Sequence, residues 1–119
     1  MGYAKTLFID IDGCLLQHHS GIRENAEEEA VLLPNVLEKF AEWDSKGYRI
    51  ILVTGRRESE RPRTEAQLDA LGVFYDQLIM GLPRGQRVVI NDLKAGLPSD
   101  SAAACVNIQR NSGLGGVDV

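Results

Sequence analysis

Two aspartates separated by one residue, Asp10 and Asp12, follow the apolar residues 7–9 and precede Gly13. The apolar run has the length of a short buried strand, which places both carboxylates at a strand end. Two like charges this close repel each other in a partly desolvated crevice unless a cation or a difference in protonation relieves them. A magnesium ion, or a carboxyl kept protonated as a general acid, would provide that relief. The alternative is an ordinary Asp-Gly surface turn.

Later strand-like segments also end in polar side chains. Residues 48–53 and 87–90 are short, apolar and rich in β-branched side chains, which is typical of buried strands. Residues 77–80 and 104–108 are predicted to form further strands. The polar residues that directly follow the segments 48–53 and 87–90 are Thr54, Gly55, Arg56, Asn91 and Asp92.

Two amphipathic helices are predicted between these strands. The first begins at Pro34 and ends before Gly47, with Phe40 and Trp43 on its apolar face. The second covers residues 62–71. The alternation of strands and helices predicts an open α/β sandwich with a mostly parallel sheet and right-handed crossovers. Because ligands bind at the carboxyl ends of such strands, we expect the acidic pair and the later polar residues to meet at one edge.

The length of 119 residues predicts a single domain, residues 1–119, without a sizeable cap domain. Residues 15–33 lack a clear apolar period and are predicted to form a loop or small flap, in which His18 and His19 would be solvated. The glycine-rich residues 111–119 are predicted to be a mobile tail.

The net charge of −4 does not favour nucleic acid or an anionic membrane as a partner. The N-terminal residues do not resemble a signal peptide, and no apolar run approaches the length of a membrane span. Cys14 and Cys105 have no metal-type spacing and are expected to be reduced thiols. Together these features predict a cytoplasmic protein.

Acids, a hydroxyl and cations at one sheet edge suit phosphoryl transfer from a monoester. Asp10 would be the nucleophile, because an ionised carboxylate can attack phosphorus to form an acyl phosphate. Asp12 would donate a proton to the leaving oxygen and then activate water. Magnesium would be held by carboxylates of Asp10 and Asp92 and by the backbone carbonyl of Asp12.

The phosphate oxygens would need hydrogen-bond donors and a positive charge. Thr54 and the backbone N–H groups of the turn at Gly55 could donate hydrogen bonds, and a cation would neutralise the developing charge. The candidate cations are Arg56, Arg87 and Lys94.

Three segments of the chain resemble motifs of the haloacid dehalogenase (HAD) superfamily of phosphatases. Residues 10–14 (DIDGC) look like its first motif, residues 53–56 (VTGR) like its second, and residues 88–94 (VVINDLK) like its acidic fourth. The resemblance covers about residues 3–108 and is nearest to small capless members, including those associated with capsule or surface-polysaccharide biosynthesis.

The resemblance implies a Rossmann-like three-layer sandwich and magnesium as the cofactor. It implies an aspartyl-phosphate on Asp10, acid and base work by Asp12, phosphate contact by Thr54, and metal ligation that includes Asp92. The implied substrate is a small phosphorylated metabolite such as a sugar phosphate or a nucleotide. Capless members often complete their sites by oligomerising, so a homo-oligomer is a further expectation.

The chain also departs from the family pattern. Cys14 replaces the usual Thr, and Asn91 stands where many relatives have a second Asp. The lysine of the third motif is missing, so Lys94 or Arg87 would have to fill that role. These departures leave open an alternative, a catalytically weak or inactive domain that binds magnesium, a phosphorylated ligand or a protein partner. The order of Thr54 and the acids disfavours a signalling receiver domain, and the length disfavours a glycosyltransferase.

Overall fold

The computed structural model describes residues 3–18, 29–98 and 102–119. It contains three strands and two α-helices, with a short 3₁₀ turn before the second helix. The strands form one parallel sheet in the order β1-β2-β3. This confirms the α/β class of the fold and the first three predicted strands. The elements in chain order are β1 (Thr6–Asp10), α1 (Val36–Ser45), β2 (Arg49–Val53), α2 (Arg61–Ala70) and β3 (Gln77–Ile79).

The register of the sheet aligns the carboxyl ends of its strands. Asp10 of β1 pairs with Val53 of β2, and Val53 pairs in turn with Ile79 of β3. Each of these residues is the last of its strand. The residues that follow the strands, including Asp12 and Thr54, therefore lie at the same edge of the sheet, as the sequence predicts.

Both helices begin and end within two residues of their predicted bounds. Phe40 and Trp43 of α1 are buried, and their ring centroids lie 5.7 Å apart. Burying side chains of this size stabilises the fold by about 1.5–3 kcal/mol each, so the predicted core role of both is confirmed. In the described parts of the chain, neither helix is long and apolar enough to cross a membrane.

The two helices cover one face of the sheet. Their buried side chains belong to the same core as Ile50, Leu52 and Leu78, whereas Ile51 and Val53 of β2 are buried on the opposite face of the sheet. On the opposite face Phe8 is 63% exposed. The prediction of a buried first strand is therefore wrong, because β1 is an edge strand with one of its faces open to solvent.

The predicted strands at residues 87–90 and 104–108 are absent. Val88, Val89 and Ile90 are between 67% and 91% exposed, and neither segment pairs with the sheet. A run of β-branched residues has a preference for extended structure, but a strand forms only where a neighbouring strand accepts its hydrogen bonds. No such partner faces either segment among the described residues.

The prediction of a mobile tail is also wrong. Leu114 and Val117 are buried in the core, and the Leu114 N–H donates to the Pro34 carbonyl oxygen at 3.0 Å. Gly113 has a φ of +85°, and a Cβ at this position would lie 2.4 Å from the Pro34 oxygen. Here glycine permits a close approach of two backbone segments, so a glycine-rich composition does not indicate mobility.

The predicted flap is anchored at both of its ends. Leu15 and Leu16 are buried, and Leu16 forms an antiparallel bridge with Leu32. The N–H of Leu33 donates to the Leu15 carbonyl oxygen at 2.9 Å. The middle of the segment, residues 19–28, lies outside the described residues and includes His19.

Substitution of Gly113 tests the packing of the C-terminal segment. Gly113→Ala should lower the free energy of unfolding by about 1–3 kcal/mol, because the added methyl group meets Pro34 and the positive φ is strained. Chemical denaturation followed by circular dichroism measures this change. Gly116→Ala is the matched control, since a Cβ there meets nothing within 4 Å, and it should change stability by less than about 0.5 kcal/mol. Equal effects of the two substitutions would contradict the packed position of the segment.

Candidate functional site

Asp10 is the last residue of β1 and is only weakly paired. Its Oδ1 accepts a hydrogen bond from the Ile11 N–H at 3.0 Å, and its Oδ2 lies 3.8 Å from Nη1 of Arg87. Burial raises the pKa of the carboxyl more than these contacts lower it, and the charge of Asp12 raises it further. The side chain is still 38% exposed, so a ligand can reach it.

Asp12 is held by both of its carboxylate oxygens. Arg56 donates from Nε to Oδ2 at 2.9 Å and from Nη2 to Oδ1 at 2.7 Å. This fork is the strongest geometry available to a carboxylate and a guanidinium. It joins the turn after β1 to the turn after β2, because the two residues follow neighbouring strands.

Arg56 is also fixed from the side of α2. Its Nη1 donates to Oγ1 of Thr64 at 3.1 Å and to Oε1 of Gln67 at 2.7 Å. Burial opposes the charge of the guanidinium, but the hydrogen bond to Asp12 together with the charges of Asp12 and Glu60 outweighs burial, and the pKa of Arg56 is raised. Four of the five N–H groups are thus occupied by protein. The structure therefore places Arg56, predicted to bind phosphate, against Asp12.

Sequence reasoning missed Thr64 and Gln67. The two residues are three positions apart in α2, so they lie on one face of the helix. Thr64 is fully buried, which is unusual for a polar residue without a partner. Two polar residues at helical spacing, eight and eleven residues after Arg56, are the signal that could have identified them.

Thr54 and Gly55 form a tight turn after β2. The N–H of Thr54 donates to the Ile79 carbonyl at 3.0 Å. The carbonyl of Thr54 accepts from the Leu82 N–H at 3.1 Å. Its buried Oγ1 accepts from the Arg56 N–H at 3.1 Å. A Cβ at Gly55 would lie 3.2 Å from the Leu82 oxygen, which favours glycine there. In this geometry Thr54 stabilises the turn, and its contact with phosphate stays a prediction.

The two candidate cations after Gly81 occupy different places. Arg87 approaches Asp10, whereas Nζ of Lys94 lies 3.3 Å from Oδ2 of Asp92. Lys94 and Asp92 are 67% and 79% exposed, respectively. Since residues 87–90 do not extend the sheet, Asp92 is not held at a strand end beside Asp10.

The described residues do not assemble a complete magnesium site. No group of three or more His, Cys, Asp or Glu side chains that could hold a metal ion occurs among them. Both carboxylate oxygens of Asp12 accept from Arg56, which leaves Asp10 as the nearby carboxylate with an oxygen free of a close donor. Magnesium usually keeps several waters and takes one or two protein carboxylates, of which Asp10 would supply one. Magnesium binding by Asp10, Asp12 and Asp92 stays a prediction.

Two further groups lie close to Asp10. Burial, together with the charge of Asp10, raises the pKa of the Cys14 thiol to about 11, so the thiol is protonated and a poor nucleophile at neutral pH. His18 folds back toward the acidic turn, since a Cβ at Gly13 would lie 3.8 Å from Cβ of His18. His18 is partly buried, so its prediction as a solvated flap residue is wrong. Neither cysteine forms a disulfide.

Comparison with known proteins gives the fold alone. No family model matches the chain, and no curated protein does so. One similar solved structure is the crystal structure of an MCSG target protein from Vibrio cholerae, with a TM-score of 0.55 and 22% sequence identity. The match covers 71% of this chain and 79% of that chain. At this identity the likeness supports the α/β fold and says nothing of activity.

The fork between Arg56 and Asp12 predicts a measurable coupling. Arg56→Ala should lower the free energy of unfolding by about 1–3 kcal/mol, because Asp12, Thr64 and Gln67 all lose a hydrogen-bond donor. Urea denaturation of Arg56→Ala, Asp12→Asn and the double variant gives the coupling energy.

Arg57→Ala serves as the control for that cycle, since Arg57 is an exposed neighbour of the same type, and it should shift stability by less than about 0.5 kcal/mol. Additive effects of the substitutions at Arg56 and Asp12 would show that the fork contributes nothing to stability.

The raised pKa of Asp10 predicts that removing the charge of this side chain increases the stability of the fold, by an amount that depends on pH. An acid whose pKa is raised in the folded chain holds its proton more tightly there than in the unfolded chain, so the ionised form opposes folding. Asp10→Asn should therefore be more stable than the wild type at pH 7, with the difference narrowing as acid protonates Asp10. Thermal unfolding from pH 4 to pH 8 measures this trend. A less stable Asp10→Asn protein at pH 7 would contradict it.

Proposed function

We propose that the protein is a phosphoric monoester hydrolase of the HAD-like type, with Asp10 as its nucleophile. The observation that carries the proposal is the contrast between the two acids at one sheet edge. Asp10 is partly desolvated, reachable and loosely paired with Arg87, whereas Asp12 is locked by Arg56. A reachable carboxylate beside a cation suits attack on an anionic phosphate, because the cation offsets their repulsion.

The reaction balances through the two aspartates. Asp10 attacks phosphorus, the bond from phosphorus to the leaving oxygen breaks, and Asp12 donates a proton to that oxygen. Water then attacks phosphorus, the bond between phosphorus and the Asp10 oxygen breaks to release inorganic phosphate and the free carboxylate, and Asp12 takes a proton from the water. Each turnover returns Asp12 to its starting state. The fork with Arg56 suits the second step, since it orients an ionised Asp12 as a base. For the first step Asp12 must carry a proton, so one of the two bonds of the fork has to open.

The proposal includes the finer features that the family resemblance implies. These are a Rossmann-like three-layer sandwich, a requirement for magnesium, a small phosphorylated substrate, a possible homo-oligomer and a cytoplasmic setting. The contact of Arg87 with Asp10 is consistent with the first of them, because the Arg87 side chain reaches the end of β1, whose outer edge is unpaired among the described residues. Pairing of residues 87–90 with that edge would bring Asp92 toward Asp10.

A second candidate is a HAD-like domain that binds a phosphorylated ligand, magnesium or a partner without turnover. The position of Asp92 favours it, because this carboxylate pairs with Lys94 on an exposed segment and the described residues contain no three-ligand metal group. The two candidates differ in whether any phosphate ester is hydrolysed in a manner that depends on Asp10.

Hydrolysis of p-nitrophenyl phosphate, with and without magnesium, tests the proposed function. The wild type should release nitrophenol, and Asp10→Asn should be slower by about 1,000-fold or more, because the nucleophile is lost. Asp44→Asn removes the same charge from an exposed position of α1 and should keep the wild-type rate. Equal rates for the wild type and Asp10→Asn would exclude Asp10 as the nucleophile.

The same assay compares the two candidate cations. Arg87→Ala should lower kcat/KM by about 100-fold, and Lys94→Ala by much less, because Arg87 approaches Asp10. A larger loss from Lys94→Ala would assign the role to Lys94. Absence of turnover on a broad panel of phosphate esters would favour the binding domain.

A further inference from the structure

Asn111 connects the C-terminal segment to the loop that directly follows the acidic pair. Its side chain makes two hydrogen bonds to the backbone of one residue, since the His18 N–H donates to Oδ1 at 2.7 Å and Nδ2 donates to the His18 carbonyl at 3.1 Å. Its own backbone N–H donates to the Gly13 carbonyl at 2.9 Å. One residue therefore holds both ends of the turn between Gly13 and His18.

The local backbone fits this arrangement. Asn111 has a φ of +64°, a left-handed conformation that asparagine adopts more readily than most residues. Gly13 has a φ of +92°, and a Cβ there would lie 3.3 Å from Cγ of Arg110. The two segments are in contact at positions whose residue types suit the conformations required.

The hydrogen bonds of Asn111 to Gly13 and His18, here called the clamp, connect segments that are attached to the core. Beyond Asn111, Leu114 and Val117 are buried, and the Leu114 N–H bonds to Pro34 just before α1. Within the clamped loop, Leu15 and Leu16 belong to the same core. Asn111 thus connects two segments that are both anchored in the core.

The clamped loop lies beside Asp10. His18 lies against the turn that follows Asp10, since a Cβ at Gly13 would be 3.8 Å from Cβ of His18, and its Nδ1 is buried without a hydrogen-bond partner among the described residues. Cys14 belongs to the same loop, and the charge of Asp10 contributes to raising the pKa of its thiol. A shift of this loop would therefore move the groups that surround the reactive carboxylate.

We propose that Asn111 is a positioning residue for the acidic site, holding the loop from Gly13 to His18 in place for the reaction at Asp10. This role rests on the proposed phosphatase function. Asn111 does not touch the reacting atoms, so its loss should reduce kcat by about 10–100-fold with KM changed less than about twofold.

Asn111→Gly is the informative variant. Glycine keeps the positive φ and the backbone bond to Gly13, and removes only the two side-chain bonds to His18. Asn111→Asp keeps an oxygen that accepts from the His18 N–H but loses the group that donates to the His18 carbonyl. Its kcat should therefore lie between those of Asn111→Gly and the wild type. Gln109→Ala changes an exposed neighbour and should behave as the wild type.

Two measurements on the full chain test whether Asn111 positions the loop for the reaction. The first is kcat and KM for p-nitrophenyl phosphate, together with the melting temperature of each variant. The second is hydrogen exchange of the His18 amide, which should be faster in Asn111→Gly because its acceptor is lost. If Asn111→Gly does not fold, Asn111→Asp carries both measurements.

The outcomes separate the positioning role from the proposed function. A reduced kcat in Asn111→Gly, partial recovery in Asn111→Asp and similar melting temperatures support positioning. A wild-type kcat with unchanged exchange at His18 overturns it. If the wild type has no activity that depends on Asp10, the proposed function fails, and hydrogen exchange alone decides whether Asn111 holds the loop.

Discussion

The fork between Arg56 and Asp12 is the interaction on which the site depends. A carboxylate withdrawn from part of its water needs a partner, and the guanidinium supplies two parallel bonds to it. The same guanidinium binds Thr64 and Gln67, so the fork fixes α2 against the ends of β1 and β2. Removal of any member leaves buried polar groups without partners, which costs more than the formation of the bonds contributes.

The fork also separates the two acids in their chemistry. Asp12 has its charge compensated at both oxygens, whereas Asp10 has one backbone N–H and a distant Arg87. Burial outweighs the opposing effects of Arg87 and of the Ile11 N–H at Asp10, and the pKa of this carboxyl is raised. Two residues of the same type, two positions apart, thus acquire different reactivity from the elements that surround them.

Local patterns in the sequence were sufficient for the first three strands, both helices and the meeting of Asp10 and Thr54 at one edge. Each of these depends on periodicity within one segment and on the rule that parallel strands end together. Residues 87–90 have the same local pattern, but a strand also requires that the segment be brought alongside another strand, which no local pattern reports. The partner of Arg56 and the burial of Leu114 were missed for a related reason. Both depend on contacts between residues far apart in the sequence, and a glycine-rich segment resembles a flexible one until the surface against which it packs is known.

The distance along the chain between Asn111 and the loop it holds has a consequence for folding. The hydrogen bonds between Asn111 and His18 span 93 residues, among the longest-range contacts of the molecule. Contacts of this range carry a large entropy of loop closure and form late. During synthesis β1 and its acidic turn emerge first, but the turn cannot take its final shape until residue 111 has been added. The first part of the site to be synthesised is therefore among the last to be completed.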